Sequence, residues 1–151
     1  VIVSGGCHPE FAFNPTETAH WIFVKQALVL AGLPESCIQQ PGLPALHTVH
    51  EAIMCRKYVD EQLQEHDRIR LFVVTSDYHF GRAKHLFQVA FGGEPRVALS
   101  VEYVPSVCDA DVLKTRLLHE STALEVLRTR PYDPWLDFLR QRDAEVKNRS
   151  R

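Results

Sequence analysis

The sequence predicts an α/β domain with a mainly parallel sheet. Three observations carry this prediction. Ile69, Leu71, Phe72, Val73 and Val74 give one segment a continuous apolar character, and Val97 to Val104 read as another strand, closed by Pro105. Strands that read apolar throughout belong to sheets covered on both faces. Segments with apolar residues at three- and four-residue spacing separate and flank these runs, which is the alternation of an α/β chain. At 151 residues and 45% apolar composition, the chain is long enough for one domain with a real core, and disorder throughout is excluded.

Taken in order, Val1 to Val3 read as a short buried strand, followed at once by Ser4, Gly5 and Gly6 as a tight loop. Residues 7–16 read as loop. Thr16 is expected to cap a first helix, with Glu17 in its positive first turn. That helix runs to about Ala31 and stops at Gly32, with Pro34 beyond. A Pro- and Gly-rich connection follows, with a short edge strand near Ile38. A second helix is predicted from about Thr48 to Gln64, its stripe made of Val49, Ala52, Ile53, Val59 and Leu63. The strand Ile69 to Thr75 then turns at Ser76 and Asp77 into a third helix, about Tyr78 to Phe91. Phe80, Ala83, Phe87 and Ala90 face its core, and Gly92 and Gly93 end it. The strand Val97 to Val104 and a helix from about Asp111 to Leu127 follow. A last short helix from Asp133 is buried through Trp135, Phe138 and Leu139. The expected organisation is one α/β domain over residues 1–130, incomplete at its N-terminus, and a C-terminal helix with a basic tail over 131–151.

The formal net charge of -2 gives no case for a nucleic-acid partner. Charge is uneven, with ten Lys/Arg and fifteen Asp/Glu in residues 1–127 against seven and four in residues 128–151. The basic end reads as a solvated tail. Cys7, Cys37, Cys55 and Cys108 form no CxxC pair, so free thiols in a reducing compartment are expected and a structural metal site is not. No apolar run is long enough to span a bilayer. The segment therefore reads as soluble and intracellular. The abrupt strand at Val1 points to a preceding segment, which could carry an anchor or signal.

The polar residues that precede helices define the candidate site. In an open α/β sheet the ligand crevice lies beyond the carboxyl ends of the strands, where helix N-termini offer free amides to an anion. Ser4 could bond a ligand or cap the backbone. Gly5 and Gly6 could form an amide nest, or only a tight turn. Neither GxGxxG nor GxxxxGK is present. Thr75, Ser76, His79 and Arg82 form the strongest group. His79 and Arg82 are three residues apart and share a helix face. Arg82 has the fork that suits phosphate or carboxylate, and His79 could move a proton near neutral pH. The plainer alternative is that Arg82 pairs with a nearby acid and His79 caps locally. Glu17 could act as a base or orient His79, or serve only as a first-turn acid. Thr48 is flanked by His47, His50 and Glu51, which match no zinc motif; with Thr48 as cap, Glu51 would complete a capping box. A hydrolytic triad from Ser4, Ser76, His79 and Glu17 is disfavoured because GxSxG is missing. Trp21 and Trp135 read as core.

Val73 to Ala83, V-V-T-S-D-Y-H-F-G-R-A, resembles the TSxxHxxRA segment of the bacterial-type domain-of-unknown-function family that includes SanA, YdcF and ElyC. S-G-G at Ser4–Gly6, T-E-T-A at Thr16–Ala19, G-L-P at Gly32–Pro34 and H-T-V-H-E-A at His47–Ala52 add to the resemblance, which covers Ile2 to about Leu127. It implies a Rossmann-like three-layer fold and an earlier strand with a Gly-rich loop before Val1. Family members commonly carry Asn before the Thr and then Glu and Asn, where this chain has His47, His50 and Glu51. The resemblance also implies envelope or surface-polymer biology, and S-adenosylmethionine as a ligand of some members. The resulting expectation is an uncharacterised enzyme acting on a phosphorylated or nucleotide-like substrate. His79 and Glu17 would be catalytic, with Ser4, Gly5, Gly6, Thr48, Thr75, Ser76 and Arg82 binding substrate. The alternative is a non-catalytic binding or structural protein of the same fold. The expected partners are a small anionic ligand and either a preceding segment or a second copy that completes the fold.

Overall fold

A computed structural model describes residues 1–7, 16–105 and 107–129. The expected C-terminal helix with Trp135, Phe138 and Leu139 lies outside the described residues, as does most of the loop after Cys7. The chain combines helices with a two-stranded parallel sheet and divides into two compact units, Val1–Tyr58 and Val59 onward.

In the first unit, the N-terminal segment is extended. Ser4 forms a parallel bridge with Leu43, and the amide of Leu43 donates to the Val3 carbonyl. The segment near Ile38 that the sequence marks as an edge strand is a 3-10 turn, Glu35–Cys37, leading into this extended stretch. Helix α1 spans His20–Leu30 and begins later than the Thr16 cap predicts. The reason is backbone competition. The carbonyls of Gly6 and Gly5 accept the amides of His20 and Trp21, at 3.0 and 2.9 Å, so the helix start is satisfied without a side-chain cap. Thr16 instead forms a local turn, its hydroxyl accepting the Thr18 amide. Glu17 is exposed and lies before the helix. The other end of α1 is as the sequence predicts. Gly32 has φ of 97°, and the amides of Gly32 and Leu33 close on the carbonyls of Val29 and Leu28. Only a residue without Cβ adopts that conformation cheaply.

Helix α2 spans Thr48–Gln62. Val49, Ala52 and Cys55 are buried in the first unit, joining Val3, Ile38 and Ala45. The unit boundary falls within this helix. Thr48 is its first helical residue rather than its cap. His47 takes the capping role, its Nδ1 accepting the His50 amide at 3.2 Å. Glu51 therefore sits one position too far along for a capping box, and its carboxylate is used elsewhere.

In the second unit, strands β1, Ile69–Ser76, and β2, Val97–Val104, pair in parallel with Ile69 opposite Val97 and Ser76 opposite Val104. Helix α3, Phe80–Phe91, connects them after a 3-10 turn at Asp77–His79. Ala83, Leu86, Phe87 and Phe91 are its buried stripe. Phe80 and Ala90, expected there, are half-buried; the Phe80 ring instead meets Tyr103 of β2 edge-on at 5.1 Å. Each large side chain fully buried on this face contributes about 1.5–3 kcal/mol. The other face of the pair is open: Phe72 and Val74 are each 65% exposed. The sheet is covered on one face only among the described residues, where continuous apolar character predicts cover on both. Helix α4, Ala110–Thr129, packs against α3. Asp109 caps it, its carboxylate accepting the Asp111 amide and its carbonyl the Leu113 amide.

Candidate functional site

The predicted residues fall in both units. Ser4, Gly5, Gly6, Glu17 and Thr48 belong to the first, and Thr75, Ser76, His79 and Arg82 to the second.

In the first unit the glycine loop is spent on the fold itself. The Gly5 amide donates to Leu43 O at 2.9 Å and the Gly6 amide to Ala45 O at 2.6 Å. An amide nest needs those hydrogens to be free, so this loop is a strand-to-helix connection and not an anion cradle. Its glycines are required by geometry. Gly5 has φ of 125°, and a Cβ there would meet the His20 side chain at 2.9 Å. Ser4 donates its hydroxyl to Glu51 Oε1 at 2.9 Å. Glu51 lies one turn from Cys55. Burial, and then the Glu51 charge, push the Cys55 thiol up to about 11.

In the second unit the side chains make the site. β1 delivers Thr75 and Ser76 at its carboxyl end, both half-buried. The 3-10 turn then places His79 at the entry to α3, and Arg82 follows on the first helical turn. The Asp77 carboxylate accepts the Tyr78 amide at 2.8 Å, which puts a negative charge where a bound anion would otherwise find a donor.

Arg82 has a partner. Its Nε donates to Glu120 Oε2 at 2.6 Å and its Nη2 to Oε1 at 2.8 Å, a two-pronged pair with a carboxylate from α4. Glu120 is the buried charged residue of the described core, 6% exposed. The same Oε1 lies 2.9 Å from His79 Nδ1, and the His79 side chain is 35% exposed. Arg82 Nη2 is 3.2 Å from that nitrogen. Tyr78 lies against the imidazole with ring centres 4.4 Å apart, and the Arg116 guanidinium sits over the Tyr78 ring at 4.9 Å. The buried acid of this cluster is thus Glu120, which sequence reasoning missed. Its signal was present. Leu113, Leu117, Glu120, Leu124 and Leu127 recur at alternating four- and three-residue spacing, so Glu120 occupies a place in the apolar stripe of α4. An acid in such a place is buried and needs a cation.

This arrangement can hold a part-exposed imidazole beside a buried carboxylate. It can also present the hydroxyls of Thr75 and Ser76 at the end of a parallel strand. Among the described residues no cluster of three or more His, Cys, Asp or Glu side chains gathers to hold a metal ion. No protein-family model, curated protein or solved structure matches the chain.

Proposed function

We propose that this chain carries the proton-transfer residue of a small-molecule enzyme with a phosphorylated or nucleotide-like substrate. The observation that carries this reading is the pairing of a part-exposed His79 with a buried carboxylate at the carboxyl end of a parallel strand. Enzymes use an oriented histidine of this kind to give or take a proton, and open α/β sheets bind ligands at that end. Arg82 keeps its Nη1 edge for an anion while Nε and Nη2 hold Glu120. Thr75 and Ser76 add neutral donors. On the TSxxHxxRA resemblance, the chain carries a YdcF-like domain with a Rossmann-like three-layer fold. Ser4, Gly5, Gly6 and Thr48 belong to the other unit, where the Gly5 and Gly6 amides are bonded to Leu43 and Ala45.

The test is a screen of the purified protein against phosphate esters and nucleotides. Turnover abolished by His79→Ala, with binding retained, supports the enzyme. Weaker binding in Arg82→Ala places the anion beside the guanidinium. The second reading is a non-catalytic binding or structural protein, with S-adenosylmethionine as one ligand by resemblance. The commitment of Arg82 to Glu120 favours it, because that pair also serves stability alone. Binding of S-adenosylmethionine by calorimetry, with no turnover of any phosphorylated compound, would replace the first reading with the second.

A further inference from the structure

We propose that Arg116 of α4 is an anion-binding residue of the site and receives the phosphoryl oxygens of the substrate, while Arg82 holds Glu120. This deepens the reading above and rests on its phosphorylated substrate class. The two arginines are held in different ways. Arg82 is held by its edge: Nε and Nη2 both donate to Glu120, and the side chain is 17% exposed. Arg116 is held by its face. Its guanidinium carbon sits over the Tyr78 ring, 4.9 Å from the ring centre, and the residue is exposed. Among the described residues Arg116 has no hydrogen bond and no ion pair. A guanidinium that rests on an aromatic face keeps the N–H donors along its rim available, in the fork that fits two oxygens of a phosphoryl group.

The placement ties Arg116 to His79. Tyr78 lies in the 3-10 turn that follows β1, and its ring centre is 4.4 Å from that of His79. One ring therefore meets both the imidazole and the guanidinium. Arg116 and Glu120 are one helical turn apart and share a face of α4, where the first meets Tyr78 and the second meets His79 and Arg82. Charge points the same way. Arg82 and Glu120 compensate each other, whereas no acid pairs with Arg116 among the described residues. The turn itself offers an anion little, because the Asp77 carboxylate already accepts the Tyr78 amide. A substrate anion at this end of β1 is therefore met by a side chain from outside the turn, and α4 supplies it.

Calorimetric titration of the full chain with inorganic phosphate, phenyl phosphate and a nucleoside monophosphate tests this without turnover. The unaltered protein should bind a phosphate ester, and Arg116→Gln should weaken that binding by about 10–100-fold. Its thermal midpoint should stay in place, because Arg116 is exposed. Arg116→Lys keeps the charge without the fork and should recover only part of the affinity. Arg70→Gln removes a positive charge at the amino end of β1, where Arg70 is exposed, and should leave affinity unchanged. Unchanged affinity in Arg116→Gln overturns the inference. So does an equal loss in Arg70→Gln, which would mean that the probes respond to overall charge. No binding of any of these probes by the unaltered protein at millimolar concentration overturns it as well. The proton-transfer reading stands or falls separately. Arg116-dependent binding with no turnover removes proton transfer and leaves the anion site. Turnover abolished by His79→Ala, with KM unmoved in Arg116→Gln, keeps the enzyme and overturns the role of Arg116.

Discussion

The two units answer the same local problem, a strand or loop that ends before a helix, with different chemistry. In the first, backbone atoms do the work: Gly5 and Gly6 donate both amides to Leu43 and Ala45 and lend both carbonyls to the start of α1. In the second, the turn at Asp77–His79 has no side-chain cap from Ser76, and charged side chains gather round Glu120. A backbone-built junction uses up the groups that an anion would need. A side-chain-built junction keeps part of its polarity available, because a histidine and an arginine each have more than one polar edge. The glycine pair therefore belongs to the architecture, and the candidate chemistry concentrates at His79 and its neighbours.

The largest expected effect tests the side-chain junction. Glu120→Leu leaves Arg82 with an uncompensated charge in a site where its side chain is only 17% exposed. The expected loss is about 3–5 kcal/mol, read by urea denaturation. Glu120→Leu combined with Arg82→Leu should recover most of it, since the pair then leaves together. A single-mutant loss below about 1 kcal/mol would mean that solvent screens the cluster as it does a surface pair.

The second effect sits in the backbone-built unit and depends on pH. Burial pushes the Cys55 thiol up to about 11 from an ordinary value of 9.0. Below pH 9 both folded and unfolded chains hold the thiol proton, and the burial of Cys55 contributes fully. Between pH 9 and 11 the unfolded chain ionises and the folded one resists, so stability falls as pH rises and is lost on passing about 11. The total is ~2–3 kcal/mol. Cys55→Val shares every other titration of the chain. Denaturation curves of the two proteins should therefore diverge only above pH 9, and parallel curves to pH 11 would show that water reaches the thiol.

Much of this was legible in the sequence. β-Branched and aromatic runs marked both strands to within a residue, because a strand's signal is local and repeated. Gly32 marked the end of α1, because left-handed backbone favours glycine. His79 and Arg82 stood out by spacing alone. What was not legible depended on distant partners. Nothing near Thr16 says that the carbonyls of Gly5 and Gly6 will cap α1 in its place. Glu120 lies thirty-eight residues from Arg82 and reads in isolation as one more helix acid. The exposed Phe72 and Val74 show the same limit, since apolar character tells what a strand could bury and not what arrives to cover it.

A smaller effect tests whether Gly5 is architectural. Gly5→Ala combines a φ of 125° with a Cβ placed 2.9 Å from His20. The expected cost is about 1–3 kcal/mol, seen as a lower midpoint in thermal or urea unfolding. The same substitution should leave the stability cost of Glu120→Leu unchanged, because the side-chain junction is built by other residues. A different cost of Glu120→Leu in a folded Gly5→Ala protein would show that the two junctions are not separate devices.

The smallest effect concerns Glu17, where the two readings of the same residue part most cleanly. A first-turn acid gains from the positive end of a helix and typically contributes about 0.3–1 kcal/mol. Glu17 precedes α1, whose first turn contains no acidic residue, and it is exposed. The amides it would have favoured are already bonded to Gly5 and Gly6. Glu17→Ala should thus change stability by less than about 0.5 kcal/mol. Asp109→Ala is the matched control, because Asp109 does accept a helix-start amide, at 2.8 Å, and its loss should cost about 1 kcal/mol. Equal losses from the two substitutions would place Glu17 on the helix after all. A loss at Asp109 alone leaves Glu17 with no part in holding the helix. Any later effect of Glu17→Ala on turnover would then have to arise at the substrate and not through the fold.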